Sequence, residues 1–255
     1  MKAVVYNAAG AIDGAGALTD ISIDKPSATG RDLLVQVQAI SVNPVDTKIR
    51  QNRPPEGENA PILGWDAVGE VVDVGDAVSM FKKGDKVWYA GAINRSGTNA
   101  EFHLVDERIV GNAPKSVPPI QAAALPLTTL TAFEMLFDRL RVNDPVPSAA
   151  RAVVIIGGSG GVGSIAIQLL RALTGLTVIA TASRPETQAW VTELGAHHVI
   201  DHSKSLPAQI EALGIGQPGY VFSTNHTGAY LAQIADFIAP QGRFGLICDP
   251  AKPNT

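Results

Sequence analysis

Residues Ala152–Gly163 read AVVIIGGSGGVG, and the fold follows from how this stretch is read. Val153–Ile156 is a continuous β-branched run, as expected of a central strand covered on both faces. It enters Gly157, Gly158, Ser159, Gly160, Gly161, Val162 and Gly163, and the amphipathic stretch SIAIQLLRALTG follows. Gly158, Gly160 and Gly163 satisfy G-x-G-x-x-G. On this reading Gly158 permits the tight turn, Gly160 lets a pyrophosphate approach the backbone, and Gly163 lets helix and strand pack closely. The helix start presents unpaired N–H groups and a positive dipole end to phosphates. A Gly-rich loop alone is weak evidence. Here it follows a strand, opens a helix and precedes a second strand, Thr177–Ala182, which is the context that dinucleotide binding requires.

Downstream, strands and helices alternate. Strands are expected at Ala152–Ile156, Thr177–Ala182, His198–Ile200, Tyr220–Ser223 and Phe244–Cys248, with helices near 162–174, 185–194, 205–213 and 228–239. This pitch predicts βαβ units and a parallel sheet. A doubly wound dinucleotide domain has six strands in order 3-2-1-4-5-6. The chain supplies five, and its tail, DPAKPNT, does not read as a sixth.

Upstream, residues 1–125 are strand-rich. Short strands at Met1–Tyr6, Asp32–Ile40, Ala67–Val74, Lys86–Ala90 and Glu101–Val105 are separated by Gly-Asp turns, which suggests a partly open β-barrel. Ile12–Thr29 reads as loop, and Asp46–Arg50 as the start of a helical turn. Arg53–Pro61 holds Pro54, Pro55, Gly57, Asn59 and Pro61 and reads as a loop bordering a cleft. Gln121–Leu140 has helical periodicity divided at Pro126. The expected division is therefore a domain over 1–125 and a nucleotide domain over 126–255.

At 255 residues, 45% hydrophobic and 17% charged, the chain can bury a sizeable core. A net charge of −4 argues against nucleic acid or an anionic membrane as partner. No apolar run approaches the roughly 20 residues that cross a bilayer. The N-terminus lacks a secretory pattern, and Cys248 is the only cysteine, so a cytoplasmic setting is expected. No metal is expected. His198 and His202 sit in AHHVIDH, a strand with turn flanks, and His103 lies in another strand-like run.

The cofactor is readable from one position. An NAD site places a carboxylate about 20 residues after the glycine motif, on the ribose 2′-OH. Here that count reaches Ser183 beside Arg184. A hydroxyl and a guanidinium suit a 2′-phosphate, which favours NADP(H). The plain alternative is that Ser183 caps a solvated helix.

The segments SVNPVDTKIR, PILGWDAVGEVVDVG, FKKGDKV, GTNAEFHLV, ALPLTTLTAFEML and IIGGSGGVGSIAIQLL together resemble the medium-chain dehydrogenase/reductase superfamily. Within it they are most similar to the zinc-independent quinone oxidoreductase branch, which includes zinc-type alcohol dehydrogenase-like proteins. The resemblance implies an α/β fold: a GroES-like, partly open β-barrel followed by a Rossmann domain, a doubly wound parallel sheet without its sixth strand. It also implies homodimers in the full-length family, whose members continue beyond this chain's end. Zinc-dependent members carry a cysteine within the SVNPVD segment and a Gly-His-Glu where this chain has Gly64-Trp65-Asp66. Some quinone reductases carry a tyrosine where this chain has Lys48.

The resemblance places Asn43 at the nicotinamide cleft and Thr128 near the nicotinamide amide. A turn residue before Pro44 and a helix-internal backbone bond are the respective alternatives. Asp46 and Lys48 project from the same segment as Asn43 and are candidate catalytic groups, with Asp46 pairing with a basic neighbour as its alternative role. Trp65 and Tyr89 are either core or an apolar slot for a flat substrate. His226 follows the fourth strand of the parallel set, where cofactor contacts cluster, and reads as a ribose-side residue. The expected activity is hydride transfer from NADPH to a quinone or an α,β-unsaturated carbonyl, a small-molecule partner, without zinc. A chain shortened at its C-terminus that binds NADPH without turnover is the second reading, and a zinc alcohol dehydrogenase the third.

Overall fold

The computed structural model describes residues 1–55 and 60–248 and divides into two compact units, Met1–Leu127 and Thr128–Thr255. Gly57 and Asn59 of the Pro-rich loop, and the tail from Asp249 onward, lie outside the described residues. The architecture is a two-domain α/β fold.

In the first unit, β1 (Lys2–Val5) pairs antiparallel with β2 (Thr19–Ser22). This corrects the loop reading of Ile12–Thr29. The β2 residues TDIS are half-buried and exposed in alternation, too short and too polar to be seen without their partner strand. Five further strands are β3 (Asp32–Ser41), β4 (Asp66–Val74), β5 (Lys86–Ala90), β6 (Phe102–Asp106) and β7 (Gly111–Asn112), ordered β6-β3-β4-β5-β7. The pairings β6-β3, β3-β4, β4-β5 and β5-β7 are all antiparallel. Alternate residues Leu33, Val35, Ala67, Val71, Val87, Tyr89 and Val105 form the buried face. Burying each leucine or valine of this set contributes on the order of 2 kcal/mol. Between β3 and β4, α1 (Pro44–Asn52) spans more than the single turn expected. Two short helices close the unit, α2 (Pro119–Ala122) and the start of α3 (Pro126–Phe133).

In the second unit, α3 runs on into a π-helical segment, Glu134–Arg139, where the sequence showed only helical periodicity. The parallel sheet contains β8 (Ala150–Ile156), β9 (Thr177–Thr181), β10 (His198–Ile200), β11 (Pro218–Ser223) and β12 (Arg243–Leu246) in order β10-β9-β8-β11-β12. The helices are α4 (Gly161–Leu173), α5 (Pro185–Glu193), α6 (Leu206–Ala212) and α7 (Thr227–Phe237). Side-chain alternation sorts the core onto two faces. Val153, Ile155, Val178 and Ala180 pack against Ile167 and Leu170 of α4 and Val191 of α5. Val154, Ile156, Ile179 and Val221 pack with Leu206 and Ile210 of α6 and Ile234 and Phe237 of α7. The chain leaves β8 toward β9 and β10, then returns to the other side for β11 and β12. The strand order therefore reverses at the C-terminal end of β8, where such sheets bind ligands. Among the described residues no helix is long and apolar enough to cross a membrane.

Candidate functional site

The glycine stretch forms a cradle at the end of β8. Gly157 has φ +81°, a conformation that side chains rarely adopt. This corrects the sequence reading, which gave the tight turn to Gly158. The buried Gly158 instead lies against β9: a Cβ there would sit 2.9 Å from Ala180 Cβ. At Gly163 a Cβ would sit 2.3 Å from the carbonyl oxygen of Gly157, so only glycine lets α4 pack this closely on the turn. Gly160, the N-cap of α4, is exposed, and its Cβ would meet only the Gly157 oxygen at 3.4 Å. The protein itself leaves that face open, and the first N–H groups of α4 lie beside it. Ser159 and Val162 are half-buried, and Gly161 is exposed. The turn is braced from both sides. Gly157 N donates to Thr181 Oγ1 at 3.0 Å, and Thr224 Oγ1 donates to Ile156 O at 2.9 Å.

Around this cradle the second unit gathers several of the expected residues. Thr128 is buried, with its methyl group 3.1 Å from where a Gly161 Cβ would stand. His226 is exposed, has left-handed φ +47°, and caps α7 immediately after Thr224 and Asn225, which lie against Gly157. Ser183 and Arg184 follow β9. The N-cap of α5 is Arg184, not Ser183, with Thr187 Oγ1 accepting from the Arg184 amide at 3.3 Å. The Arg184 guanidinium is exposed and paired with Glu186 at 2.8 Å. An exposed pair of this kind contributes about 0–1 kcal/mol, so the guanidinium is readily released to an anion.

In the first unit Asn43 and Asp46 enter a buried polar cluster. Asn43 Nδ2 donates to Asp66 Oδ2 at 2.7 Å, a long-range role that its place in the capping box at the start of α1 leaves open. The Asn43 amide donates to Asp46 Oδ2 at 2.8 Å, which caps α1 behind Pro44. Asp46 forms no ion pair among the described residues, against the expected basic partner, and its Oδ1 is buried without a hydrogen bond. Burial raises its carboxyl above the usual range. Lys48 lies exposed on α1.

Asp66 is the residue that sequence reading passed over. It is fully buried, accepts from Leu127 N at 2.8 Å through Oδ1, and receives Thr98 Oγ1 on its carbonyl at 3.2 Å. Burial pushes its carboxyl up to about 6, against the hydrogen bonds from Asn43 and Leu127, with the charge of Asp46 raising it further. Its sequence signal was a lone carboxylate opening an apolar strand.

Trp65 and Tyr89 are core residues, not slot walls: each is nearly fully buried, and Trp65 Nε1 donates to Ala92 O at 3.1 Å. Tyr89 OH meets His103 Nδ1 at 3.0 Å, and His103 Nε2 meets Ser96 O at 2.8 Å. A carbonyl only accepts, so Nε2 carries the proton and Nδ1 accepts from the tyrosine. Burial pulls His103 down to about 4 and keeps it neutral. Among the described residues no three His, Cys, Asp or Glu side chains are grouped to hold a metal ion.

Residues 161–254 match the profile of the zinc-binding dehydrogenases, and residues 29–115 that of the alcohol dehydrogenase GroES-like domain. A zinc-type alcohol dehydrogenase-like protein of Staphylococcus epidermidis is 41% identical over 248 residues, covering 97% of this chain and 73% of that protein. The chloroplastic NADPH-dependent alkenal/one oxidoreductase of Arabidopsis thaliana is 34% identical over 213 residues, covering 80% of this chain and 53% of that one. A crystal structure from Rhizobium etli CFN 42, assigned provisionally to the zinc-dependent alcohol dehydrogenases, superposes with TM-score 0.97 at 60% identity, covering 99% of this chain and 73% of that one. The chain thus spans part of each relative's length.

Proposed function

The chain belongs to the medium-chain dehydrogenase/reductase superfamily, and on that premise we propose that it is an NADPH-dependent reductase of quinones or α,β-unsaturated carbonyls that works without zinc. The observation that carries the reading is the cradle: a positive-φ glycine, an exposed helix N-terminus and the strand-order reversal coincide at the end of β8. The main-chain N–H groups of Gly161 and Val162 hold the pyrophosphate, since Gly160 N donates to Gly157 O within the turn, Ser183 and Arg184 hold the 2′-phosphate, and His226 borders the ribose. In the second unit Thr128 borders the nicotinamide, and in the first unit Asn43 is the group that orients the substrate oxygen. When bound, NADPH supplies the hydride. The second N–H of Asn43 Nδ2 donates to the substrate carbonyl as it gains negative charge, and water supplies the proton.

Three things support the finer points. The Arabidopsis relative is named for NADPH and for alkenals and enones. No carboxylate occupies the position at Ser183. Trp65, standing where zinc-dependent members carry a histidine, has an indole that offers a metal no lone pair. With one cysteine, a reducing cytoplasm is the setting we assign.

The test is an oxidation assay of NADPH and NADH with a simple quinone and a simple enone, with and without chelator. The expected result is turnover with NADPH preferred about 10-fold or more, unchanged by chelator. Loss of turnover on chelation sinks the zinc-free claim. Tight NADPH binding with no turnover favours a binding protein instead.

A further inference from the structure

We infer that Asp66 is a positioning residue of this site, holding the Asn43 amide in one orientation and anchoring the N-terminus of the helix that carries Thr128. The inference rests on the reading of Asn43 and Thr128 given above and adds the group that sets them.

Both oxygens of this fully buried carboxylate are committed. Oδ2 accepts from Asn43 Nδ2 and Oδ1 from Leu127 N, the second residue of α3. A carboxylate can only accept, so it forces Asn43 to turn its NH2 group inward. The second N–H and Oδ1 of Asn43 then have fixed directions. On α3, the amide of Leu127 lies in the first turn, and Asp66 Oδ1 accepts from it. Thr128 is covalently the next residue. One side chain thus sets the start of α3 and the polarity of the Asn43 amide. Protonation undoes the second constraint, because a carboxylic acid can donate to Asn43 Oδ1 and so tolerates the reversed amide. Of the groups around Asp66, Asp46 on α1 is titratable and disfavours the charge on Asp66. Ser41 of β3 and Ala90 of β5 pair with Asp66, while Thr98 donates to its carbonyl, and none of these three titrates in this range.

The test needs no turnover for its first arm. In wild-type protein the side-chain NH2 signals of Asn43, assigned by triple-resonance NMR, shift with a midpoint at about pH 6. In Asp66→Asn they do not, because the Nδ2 of the new amide donates to Asn43 Oδ1 at every pH. Signals that stay still in wild type from about pH 4.5 to 7.5, or that still titrate with the same midpoint in Asp66→Asn, overturn the inference.

The second arm is kinetic. Asp66→Asn lowers kcat about 100-fold with an enone, leaves the NADPH Kd within about threefold, and removes the acid limb of the kcat/KM profile. A folded variant with wild-type kcat, or with the same acid limb, overturns the inference. If neither protein turns over any quinone or enone, the proposed function fails while the NMR arm still decides the role of Asp66. If Asp66→Asn does not fold, the wild-type titration decides it alone.

Discussion

In the cradle the functional atoms are main chain, drawn from the seven consecutive residues Gly157–Gly163. In the Asn43 cluster the central atoms are side chains, with Asn43 and Asp66 standing 23 positions apart and the main-chain N–H of Leu127 another 61 beyond. The first device works by having no side chains: Gly157 takes φ +81° and Gly163 admits a helix onto the turn. The second works by burying polar side chains and satisfying them. A backbone device tolerates little change in shape. A buried polar device tolerates changes in shape better than changes in hydrogen-bonding sense, because a buried donor facing a donor costs the full desolvation of both.

The contrast can be broken most forcefully at Gly163. A valine there has no room, since its Cβ would fall 2.3 Å from Gly157 O. Gly163→Val is expected to cost about 3 kcal/mol or more in unfolding free energy, read by urea denaturation, and to abolish NADPH binding, read by fluorescence titration. Binding retained at near wild-type affinity would mean that the cradle is not the cofactor site.

Next in size is the pH dependence that Asp66 confers. Its folded-state carboxyl is raised from 3.8 to about 6, so the native state holds the proton more tightly than the unfolded chain. That contribution is fully present below the unfolded value and is lost as pH rises through about 6, a swing of about 3 kcal/mol. Asp66→Asn does not titrate. Its stability relative to wild type should therefore climb by about this amount between about pH 4 and 7, in matched denaturation curves. A difference that stays flat would show Asp66 to be solvated and the cluster open to water.

The smallest effects belong to the exposed rim of the cradle. Arg184→Ala should weaken NADPH binding by about 10-fold and leave NADH binding unchanged. Glu186→Gln should strengthen NADPH binding by only about twofold, because it frees Arg184 from an exposed pair. Equal losses for both cofactors in Arg184→Ala would remove the 2′-phosphate from this position.

How much was legible follows the same division. The strand Val153–Ile156 declares itself because each of its faces packs on a helix layer, which demands an unbroken apolar run. The helix α4 and the alternation after it are likewise local patterns. At short range the reading still slipped by one residue, giving the turn to Gly158, because G-G-S-G-G contains more glycines than the turn needs. Strand β2 stayed hidden because Thr19–Ser22 becomes a strand only beside β1. The pattern marked Asn43 and Asp46 as polar residues at a helix start, but Asp66, the partner of the Asn43 side chain, was beyond its reach. Tyr89 read as either core or the wall of an apolar slot, and nothing local showed that its hydroxyl meets His103, 14 residues on.

By itself, then, the sequence determined the glycine cradle, the parallel sheet around it and the missing carboxylate at Ser183, since each is written in residues close together along the chain. Only the tertiary structure decided that Asp66 lies beneath Asn43 and holds the first turn of α3, that Asp46 caps its own helix, and that Lys48 stays exposed. These depend on which buried donor meets which buried acceptor, and that pairing is settled when β3, β4, α1 and the start of α3 pack and expel water, leaving each polar group only the partners the fold has brought within reach.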